Sequence, residues 1–562
     1  MNQEETPVKT KYTLLAVATL AALSLLLGAC EPEAPDRDAA EAITEQALHE
    51  HIAELASDEY EGRFPATEGG ERTEQYLRTE LEEMLLQPAG DDSYFQEVPL
   101  VKMTTDPDMS LDIAGEDFDR SLEYGDEMML WSGLQEETVT VEDSELVFVG
   151  YGAVAPEYDW NDYEDLDLEG KTVVMLVNDP GFATEDEELF NGIAMTYYGR
   201  WDYKFAEAAR QGAEGAIIIH QTEPAGYGWE VVSGSWSGTQ FTLDEDGNED
   251  ALAMEGWITE SVAEELFEAA DLDFEALQEE ALSRDFEPVS MELEASTEIH
   301  AEFESATSNN VAAKIRGSQR PDEYIVYMAH WDHLGKDDSL DNPVYNGAID
   351  NASGTAAVLE TARAFSEMEI APERSIVFLF VTAEEQGLLG SRYYAENPLY
   401  PLENTVAGIN LDSLNHFGPT HDITLTGYGS SELEDHLKTV AEEVDRRVEP
   451  EPNPERGYFF RSDHFSFARE GVPALFPTPG VDHVEHGESY GQERLDEYLE
   501  NDYHQPTDEY DPDWDLSGMV ADTRLFFRLG KHLANSEEWP NWFEDSEFRA
   551  IRDEMRQADA GE

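Results

Sequence analysis

The chain has 562 residues, enough for two or three domains with a sizeable core. Lys and Arg number 33 against 126 Asp and Glu, a formal net charge of −93. This charge argues against nucleic acid as a partner and against electrostatic docking on anionic lipid. Because 40% of the residues are hydrophobic and 10% aromatic, we predict a folded, soluble protein with a heavily charged surface.

The first 30 residues have the layout of a secretory signal peptide. Two lysines precede an apolar stretch, residues 13–27, that is too short for a comfortable membrane span. The stretch ends in Leu27–Cys30, Leu-Gly-Ala-Cys, which resembles the lipobox of bacterial lipoproteins and implies lipidation of Cys30, the single cysteine of the chain. We therefore expect an exported protein, lipid-anchored in the bacterial cell envelope at the periplasmic or outer surface. The alternative is an uncleaved membrane anchor.

Residues 31–41, rich in Glu, Asp, Ala and Pro, are predicted to be a flexible tether. Helical periodicity follows over residues 42–86 in two runs, separated by a loop that includes residues 58–63 and the pair Gly69-Gly70. This segment is predicted to open the main domain, which takes residues 42–100.

Residues 101–289 are predicted to form a small β-rich insert, with apolar strand-length runs at residues 146–149, 172–177 and 216–219. The insert resembles the protease-associated domain found in secreted peptidases. That resemblance rests on residues 145–151, 170–180 and 205–220. An unrelated small α/β insert is the alternative.

From residue 290 to 540 strand-like and helical segments alternate. Apolar strands are predicted at residues 324–328, 376–381 and 406–411, with helices between them. Uninterrupted apolar strands that alternate with helices predict an α/β fold with a doubly wound mixed sheet and helices on both faces. The remaining residues, 541–562, are predicted to be an acidic tail.

Three of these apolar strands run into polar residues. The first is followed by His330 and Asp332, the second by Glu384 and Glu385, and the third by Asp412. In an open α/β sheet, ligands bind beyond the carboxyl ends of the strands, so these groups should converge. Imidazole together with carboxylates is typical of a divalent metal site, although a buried salt bridge is the alternative for the two glutamates.

Asp350 lies in a glycine-containing loop that leads into a predicted helix, so a helix N-cap is its ordinary interpretation. The neighbouring metal-binding pattern favours a ligand instead. The set of motifs resembles the M28 family of di-zinc peptidases, aminopeptidase type. The motifs are His330-Trp331-Asp332-His333, Asp350-Asn351, Glu384-Glu385, Asn410-Leu411-Asp412 and Tyr503-His504-Gln505-Pro506-Thr507-Asp508.

The resemblance implies a zinc exopeptidase-like fold that binds two Zn²⁺ per chain. Asp350 would bridge the two ions, with His330 and Asp412 completing one site and Glu385 and His504 the other. Zinc accepts imidazole and carboxylate ligands of this kind.

Two further carboxylates receive roles from the same resemblance. Glu384 would be the general base, and Asp332 would orient the imidazole of His330. Tyr503 or Tyr458 is a candidate donor to the tetrahedral oxyanion. His483 and His486 are the competitors of His504 as the last ligand. Three histidines match no ligand position, namely His333, His416 and His421, and His464 is kept as a pocket residue without a role.

The predicted activity is removal of N-terminal residues from peptides by metal-activated water. Two alternatives stay open: a metallopeptidase that resembles glutamate carboxypeptidases, and a receptor-like protein that has kept the fold and lost catalysis. One tightly bound zinc instead of two would indicate a protein resembling glutaminyl cyclases. The acidic loop at residues 336–345 is predicted to border the pocket.

Overall fold

The structure is a computed structural model, and it describes residues 39–559 apart from 91, 187, 245–250, 338, 341 and 545. The predictions of a signal peptide, a lipidated Cys30 and most of the tether lie outside the described residues. Within the described range, no helix is both long and apolar enough to span a membrane.

The strands are β1 Gln87–Pro88, β2 Phe95–Thr105, β3 Ser110–Ala114, β4 Asp119–Glu123, β5 Met128–Trp131, β6 Thr138–Phe148, β7 Val154–Ala155, β8 Trp160–Asn161, β9 Lys171–Leu176, β10 Gly215–His220, β11 Thr239–Leu243, β12 Met254–Thr259, β13 Val289–Ile315, β14 Arg320–His330, β15 Arg374–Val381, β16 Thr405–Asn410, β17 Asp422–Thr426, β18 Arg447–Pro450 and β19 Ala474–Pro479.

The helices are α1 Glu45–Leu55, α2 Glu68–Glu83, α3 Pro180–Thr184, α4 Trp201–Arg210, α5 Thr222–Ala225, α6 Trp229–Ser235, α7 Glu260–Ala269, α8 Phe274–Glu280, α9 Gly354–Ser366, α10 Leu389–Glu396, α11 Leu433–Glu442, α12 His464–Arg469, α13 Glu488–Asn501, α14 Ser517–Asn535 and α15 Arg549–Asp559. Single turns of 3-10 helix include Asp58–Arg63 and Tyr458–Phe460.

The main domain is built on a mixed sheet in the order β2–β13–β15–β14–β16–β19–β17–β18. Strands β15, β14, β16 and β19 are parallel, and β13 pairs antiparallel with β15 at one side. Alternate residues of β14 enter opposite cores: Ile325 and Tyr327 pack with helices α9 and α14, whereas Val326 packs with Tyr394 and Phe467 of α10 and α12. The predicted doubly wound mixed sheet with helices on both faces is therefore confirmed.

The β-rich insert has a second sheet, which includes β3, β6, β9, β10 and β12. Strand β13 is 27 residues long and joins both sheets: its first part pairs with β6 and its later part with β2. The predicted domain limits at residues 100 and 290 therefore fall inside strands. The insert has cores of its own, on the two faces of the second sheet.

The pair Gly69-Gly70 was predicted in a loop, which is wrong: both residues lie in the first turn of α2. Glycine is required there by close packing. A Cβ atom on Gly69 would stand 2.1 Å from the carbonyl oxygen of Tyr60, and one on Gly70 would stand 2.6 Å from that of Phe64. The two glycines let α2 pack against the turn that carries Arg63.

The segment after residue 540 packs against the main domain. Trp542 is fully buried, and its indole N–H donates to the carbonyl oxygen of Gly471 at 3.0 Å. Arg552 of α15 is also buried and donates to the carbonyl oxygen of Thr405 at 2.7 Å. The part of the chain predicted to be an acidic tail thus includes the buried Trp542 and the helix α15.

Candidate metal centre

The polar residues that follow the central parallel strands meet at one edge of the sheet. His330 is the last residue of β14, Glu384 and Glu385 follow β15, and Asp412 follows β16. Parallel pairing of β14 with both neighbours places these three carboxyl ends side by side. The predicted convergence is therefore observed.

The carboxylate of Asp350 lies between two histidines. Its Oδ1 is 3.3 Å from Nε2 of His330, and its Oδ2 is 3.2 Å from Nε2 of His504. The residue is buried in the turn Ala348–Ser353 that leads into α9, and the peptide bond from Asp350 to Asn351 is cis. One carboxylate with an imidazole at each oxygen is the arrangement that a bridging ligand requires.

Each of the two histidines, His330 and His504, also lies close to a second carboxylate. His330 Nε2 is 3.4 Å from Oδ1 of Asp412, and His504 Nε2 is 3.0 Å from Oε2 of Glu385. The five predicted ligands thus form two groups that share Asp350. Donor atoms of two overlapping trios also lie within 4.8 Å of one another: His330, Glu384 and Asp412, and His330, Asp350 and Glu385.

The electrostatics of the cluster favour a cation. Burial opposes protonation of His330, yet the charges of Glu384 and Asp412 hold its imidazole pKa well above the ordinary value. The side chain of His504 is 37% exposed, so its partial burial opposes protonation less, and Glu385 and Asp350 raise its pKa. Buried carboxylates that crowd two imidazoles in this way need compensating positive charge, and zinc takes this donor set. The residues present fit the metal that the sequence implies.

Glu384 differs from its neighbour Glu385. Burial and then the nearby carboxylates raise the pKa of Glu384 well above its ordinary value. For Glu385 burial also acts upward, but the charge of His504 outweighs it and lowers the pKa to about 2. Glu384 therefore has the higher proton affinity of the two, as a group that accepts and returns protons should.

The carboxylate of Asp332, which was predicted to orient His330, does not lie within hydrogen-bond distance of its imidazole in this structure. The distance from its Oδ1 to Nδ1 of His330 is 3.9 Å, too long for a hydrogen bond, and the backbone carbonyl oxygen of Asp332 lies nearer, at 3.2 Å. The carboxylate instead accepts the backbone N–H groups of Glu384 at 3.1 Å and Glu385 at 3.4 Å. Asp332 thus holds Glu384 and Glu385 in place after β15.

Arg63 is a site residue that the sequence did not reveal. Its side chain is buried and donates only to backbone carbonyl oxygens. The acceptors include those of Trp331 at 2.9 Å, Leu55 at 3.0 Å, Asn346 at 2.5 Å and Gly347 at 2.8 Å. The guanidinium therefore ties the end of β14 to the loop that presents Asp350. It also places a positive charge behind the carboxylates.

Asp508 and Ser462 complete the support of the ligands. Asp508 is buried and accepts the backbone N–H of Asp350 at 3.1 Å. The Ser462 hydroxyl donates to Oδ2 of Asp412 at 2.7 Å and accepts from the side-chain amide of Asn410 at the same distance. In the sequence, Asp508 ends the motif that contains His504, and Ser462 is two residues before His464. No pattern in the sequence indicated a supporting role for either residue.

The other histidines noted in the sequence differ in their contacts. His333 is buried in the site, and its Nδ1 is 2.6 Å from Oε1 of Glu385, so it supports a ligand. His483 Nδ1 accepts backbone N–H groups from residues 485 and 486 at 3.1 Å, which turns that nitrogen away from a metal. Burial lowers the pKa of His464 to about 3 and that of His416 to about 4. The contacts favour His504 over its competitors.

Tyr503 is the better placed of the two tyrosine candidates. Its ring stacks on the imidazole of His504 with the centroids 3.9 Å apart. Tyr503 is 42% exposed. Its partial burial, followed by the charges of Asp350 and Glu385, raises its pKa above the ordinary value, so the phenol keeps its proton. Tyr458 instead packs with arginines at the boundary to the insert.

The acidic loop at residues 336–345 lies next to the segment that carries His504. The side-chain amide of Asn342 donates to the carbonyl oxygen of Pro506 at 2.9 Å, and Lys336 pairs with Glu61 at 3.0 Å. These contacts agree with a loop that borders the site.

The part of the chain that contains the candidate site is similar to known proteins. Residues 310–527 match the family model of peptidase family M28. All seven predicted site residues, from His330 to His504, fall within that range, which is less than half of the chain.

Curated relatives align over the same region. Aminopeptidase NAALADL1 of Mus musculus is 38% identical over 124 residues, 21% of this chain and 15% of the relative. A glutamate carboxypeptidase 2 homolog of Caenorhabditis elegans has the same identity and coverage. A probable zinc metalloprotease of Pyrenophora teres f. teres is 38% identical over 111 residues, 19% of this chain and 22% of the relative. The chain thus spans less than a quarter of these relatives.

A solved structure shares the fold over most of its length. The aminopeptidase from Aneurinibacillus sp. strain AM-1 superposes with a TM-score of 0.51 at 19% sequence identity. The superposition covers 89% of this chain and 97% of that one. At this identity the likeness shows the fold, a mixed α/β architecture with a large sheet.

Proposed function

We propose that the protein is a two-zinc aminopeptidase that removes N-terminal residues from peptides. The single observation that carries the proposal is the carboxylate of Asp350, with an imidazole of His330 on one oxygen and of His504 on the other. The M28 match of this region and the printed names of the aligned relatives support the same class of enzyme.

His330, Asp350 and Asp412 would hold one zinc ion, and Asp350, Glu385 and His504 the other. When bound, the ions would supply Lewis acidity to polarise the scissile carbonyl and to acidify water. Glu384 would take the proton of the attacking water and give it to the leaving amine. Tyr503 would donate a hydrogen bond to the developing oxyanion.

The test is metal content and turnover of Glu384→Gln beside the unaltered protein. We expect about two zinc ions per chain in both, and a fall in kcat of about 10²–10⁴-fold or more in the variant. Loss of zinc from Glu384→Gln would make Glu384 a ligand, which its proximity to His330 and Asp412 also permits. Near-normal turnover would refute its role as base.

The end of the substrate that is cleaved is tested with aminoacyl-p-nitroanilides and N-blocked peptides, with and without chelator. Chelator-sensitive cleavage of the free-amine substrates supports an aminopeptidase. Cleavage of N-blocked substrates alone would favour a carboxypeptidase, the class to which the name of the Caenorhabditis elegans relative refers.

The proposed location rests on the sequence alone. Export and lipidation at Cys30 would anchor the enzyme in the bacterial envelope with the catalytic domain outside the cytoplasm. Mass spectrometry of the N-terminal peptide of the membrane-bound protein should find a chain that begins at Cys30 and carries lipid on its sulfur. A membrane-bound chain with an unmodified Cys30 would refute lipid anchoring at this cysteine.

A further inference from the structure

Two partly buried histidines on neighbouring helices of the main domain face one another. His436 lies on α11 and His532 in the last turn of α14, and Nδ1 of His436 is 3.1 Å from Nε2 of His532. The residues that follow them in the chain, Leu437 and Leu533, are fully buried in the core. The packing of the two helices therefore fixes the backbone beneath both imidazoles.

The histidine pair lies at the opposite edge of the sheet from the candidate metal centre. The carbonyl oxygen of Leu533 accepts a hydrogen bond from Nη1 of Arg374 at 2.8 Å, and Arg374 is the first residue of β15. The candidate metal centre lies beyond the other end of this strand, where Glu384 follows it. Strand β15 has eight residues, so about 25 Å separate its two ends. The pair is thus separate from the metal centre already described.

The contact between the two ring nitrogens has room for one proton only. At a separation of 3.1 Å both nitrogens cannot carry hydrogen, so at least one of them directs a lone pair at the other ring. Burial, followed by the charge of His532, lowers the pKa of His436 below its ordinary value. His436 is therefore neutral near pH 7, and the neutral imidazole is the form that binds a metal.

The spacing of the two nitrogens suits two ligands of one metal ion. Zinc binds an imidazole nitrogen at about 2.0–2.1 Å, so two such ligands at an angle of about 90–110° stand about 2.9–3.4 Å apart. The observed 3.1 Å lies within that range. Donor atoms at the candidate metal centre have similar spacings, from 3.0 Å to 3.4 Å. A hydrogen bond between two neutral imidazoles has the same length, so metal binding is the property that separates the two interpretations.

Carboxylates near the pair supply the charge that a divalent cation needs. Oε2 of Glu538 is 3.6 Å from Nε2 of His436, and this glutamate side chain is 73% exposed, so it can rotate toward the pair. The charges of Asp435 and Glu432 also favour a positive charge at His436. Of these two, Asp435 lies 3.8 Å from the ammonium group of Lys438 as well. Two imidazoles and a carboxylate are ligands that Zn²⁺, Cu²⁺ and Ni²⁺ accept.

We propose that His436 and His532, with Glu538 as a third ligand, bind a divalent transition-metal ion at the end of α14. The site goes beyond the proposed function, because it is remote from the catalytic centre and needs no peptidase activity. Its ligands come from α11, from α14 and from the segment after α14. A bound ion would therefore link two helices that pack on the same face of the sheet, and it would stabilise the folded chain.

Zinc content at saturation tests the proposal. After equilibrium dialysis against zinc that saturates the unaltered protein, this protein should hold one ion per chain more than His436→Gln or His532→Gln. Both histidines are partly exposed, so the variants should keep the fold, which circular dichroism checks. The matched control is His300→Gln, which removes a 48% exposed imidazole with one carboxylate neighbour, Glu298 at 2.9 Å, and should keep the full zinc content. Equal contents in all four proteins would overturn the proposal and leave the pair as hydrogen-bonded imidazoles.

Electron paramagnetic resonance of bound Cu²⁺ identifies the ligands. The unaltered protein and His436→Gln are both loaded with zinc and given one equivalent of Cu²⁺, and their difference spectrum should show coupling to two imidazole nitrogens. Identical spectra, or coupling to fewer than two nitrogens, would refute the site. Neither measurement requires turnover, so its result is independent of the peptidase proposal. A protein that shows this copper signal and cleaves no peptide would support the site and count against the peptidase.

Discussion

The carboxylate of Asp508 fixes the backbone of Asp350. Its Oδ2 accepts the N–H of Asp350 at 3.1 Å, and the N–H of Ile349 lies 3.0 Å and 3.2 Å from its two oxygens. Its own backbone carbonyl accepts the N–H of Ala348 at 3.1 Å. Because Asp508 and His504 are only four residues apart, one segment both supplies a ligand and positions the proposed bridge.

Replacing Asp508 with alanine should weaken zinc binding by about 10–100-fold, since the loop with Asp350 loses its acceptor. Asp508→Asn keeps one acceptor oxygen, so its zinc affinity should lie between that of Asp508→Ala and that of the unaltered protein. Competition with a chromophoric chelator measures both affinities. The control is Asp513→Ala, an exposed residue on the same segment. An Asp508→Ala protein that binds zinc as tightly as the control would contradict this positioning role.

The convergence of the residues proposed as ligands was predictable because their signals are local. A buried strand that ends in His330, Glu385 or Asp412 shows in the sequence as an apolar run followed by a polar residue, and the parallel sheet brings such ends together. The hydrogen bonds of the Asp332 carboxylate could not be predicted because its partners, the N–H groups after β15, are more than 50 residues away in the chain.

Arg63 shows what sequence pattern cannot supply. Its backbone has a φ of +50°, and its neighbour Gly62 packs so closely on Gly335 that a Cβ would stand 2.2 Å from the carbonyl oxygen. Neither the left-handed turn nor its carbonyl acceptors has a periodic signature. The pairing of the single strand β13 with two sheets likewise has no signature in the sequence, and the predicted insert boundary at residue 290 lies inside that strand.

The zinc content of two alanine variants decides whether His504 or His483 is the last metal ligand. His504→Ala removes an imidazole that contacts both Asp350 and Glu385, so we expect about one zinc per chain where the unaltered protein holds about two. His483→Ala should keep both. Elemental analysis after dialysis gives the numbers, and the reverse pattern would transfer the ligand role to His483.

Arg63→Met should destabilise the fold as well as the site. The substitution leaves the buried carbonyl oxygens of Leu55, Trp331 and Asn346 without their donor. At about 1–3 kcal/mol for each buried acceptor left unpaired, we expect a loss of about 3 kcal/mol or more in the free energy of unfolding.

Urea denaturation of the metal-free proteins measures this loss without the contribution of zinc. The control is Arg78→Met, on the exposed face of α2, where a 3.6 Å pair with Glu82 should contribute less than about 1 kcal/mol. Equal stabilities of the two variants would show that the hydrogen bonds of Arg63 do not hold the loop.

Glu255 in the insert should make stability depend on pH. It lies on β12, and its Oε2 accepts the indole N–H of Trp131 at 2.8 Å. Burial raises the pKa of Glu255 from 4.5 to about 7. Between these two values the folded protein holds a proton that the unfolded chain has released, so raising the pH through this window lowers stability; above about 7 the loss is complete.

Glu255→Gln cannot ionise but keeps an oxygen that accepts the bond from Trp131. The variant should therefore match the unaltered protein near pH 4.5 and exceed it at pH 8, by about 1–3 kcal/mol given the partial exposure of the residue. Urea denaturation followed by tryptophan fluorescence at both pH values measures the difference. Glu264→Gln, an exposed substitution on the neighbouring helix α7, should change neither value. If Glu255→Gln gave no gain at pH 8, the carboxylate would be ionised at no cost in the folded state, and burial would not raise its pKa.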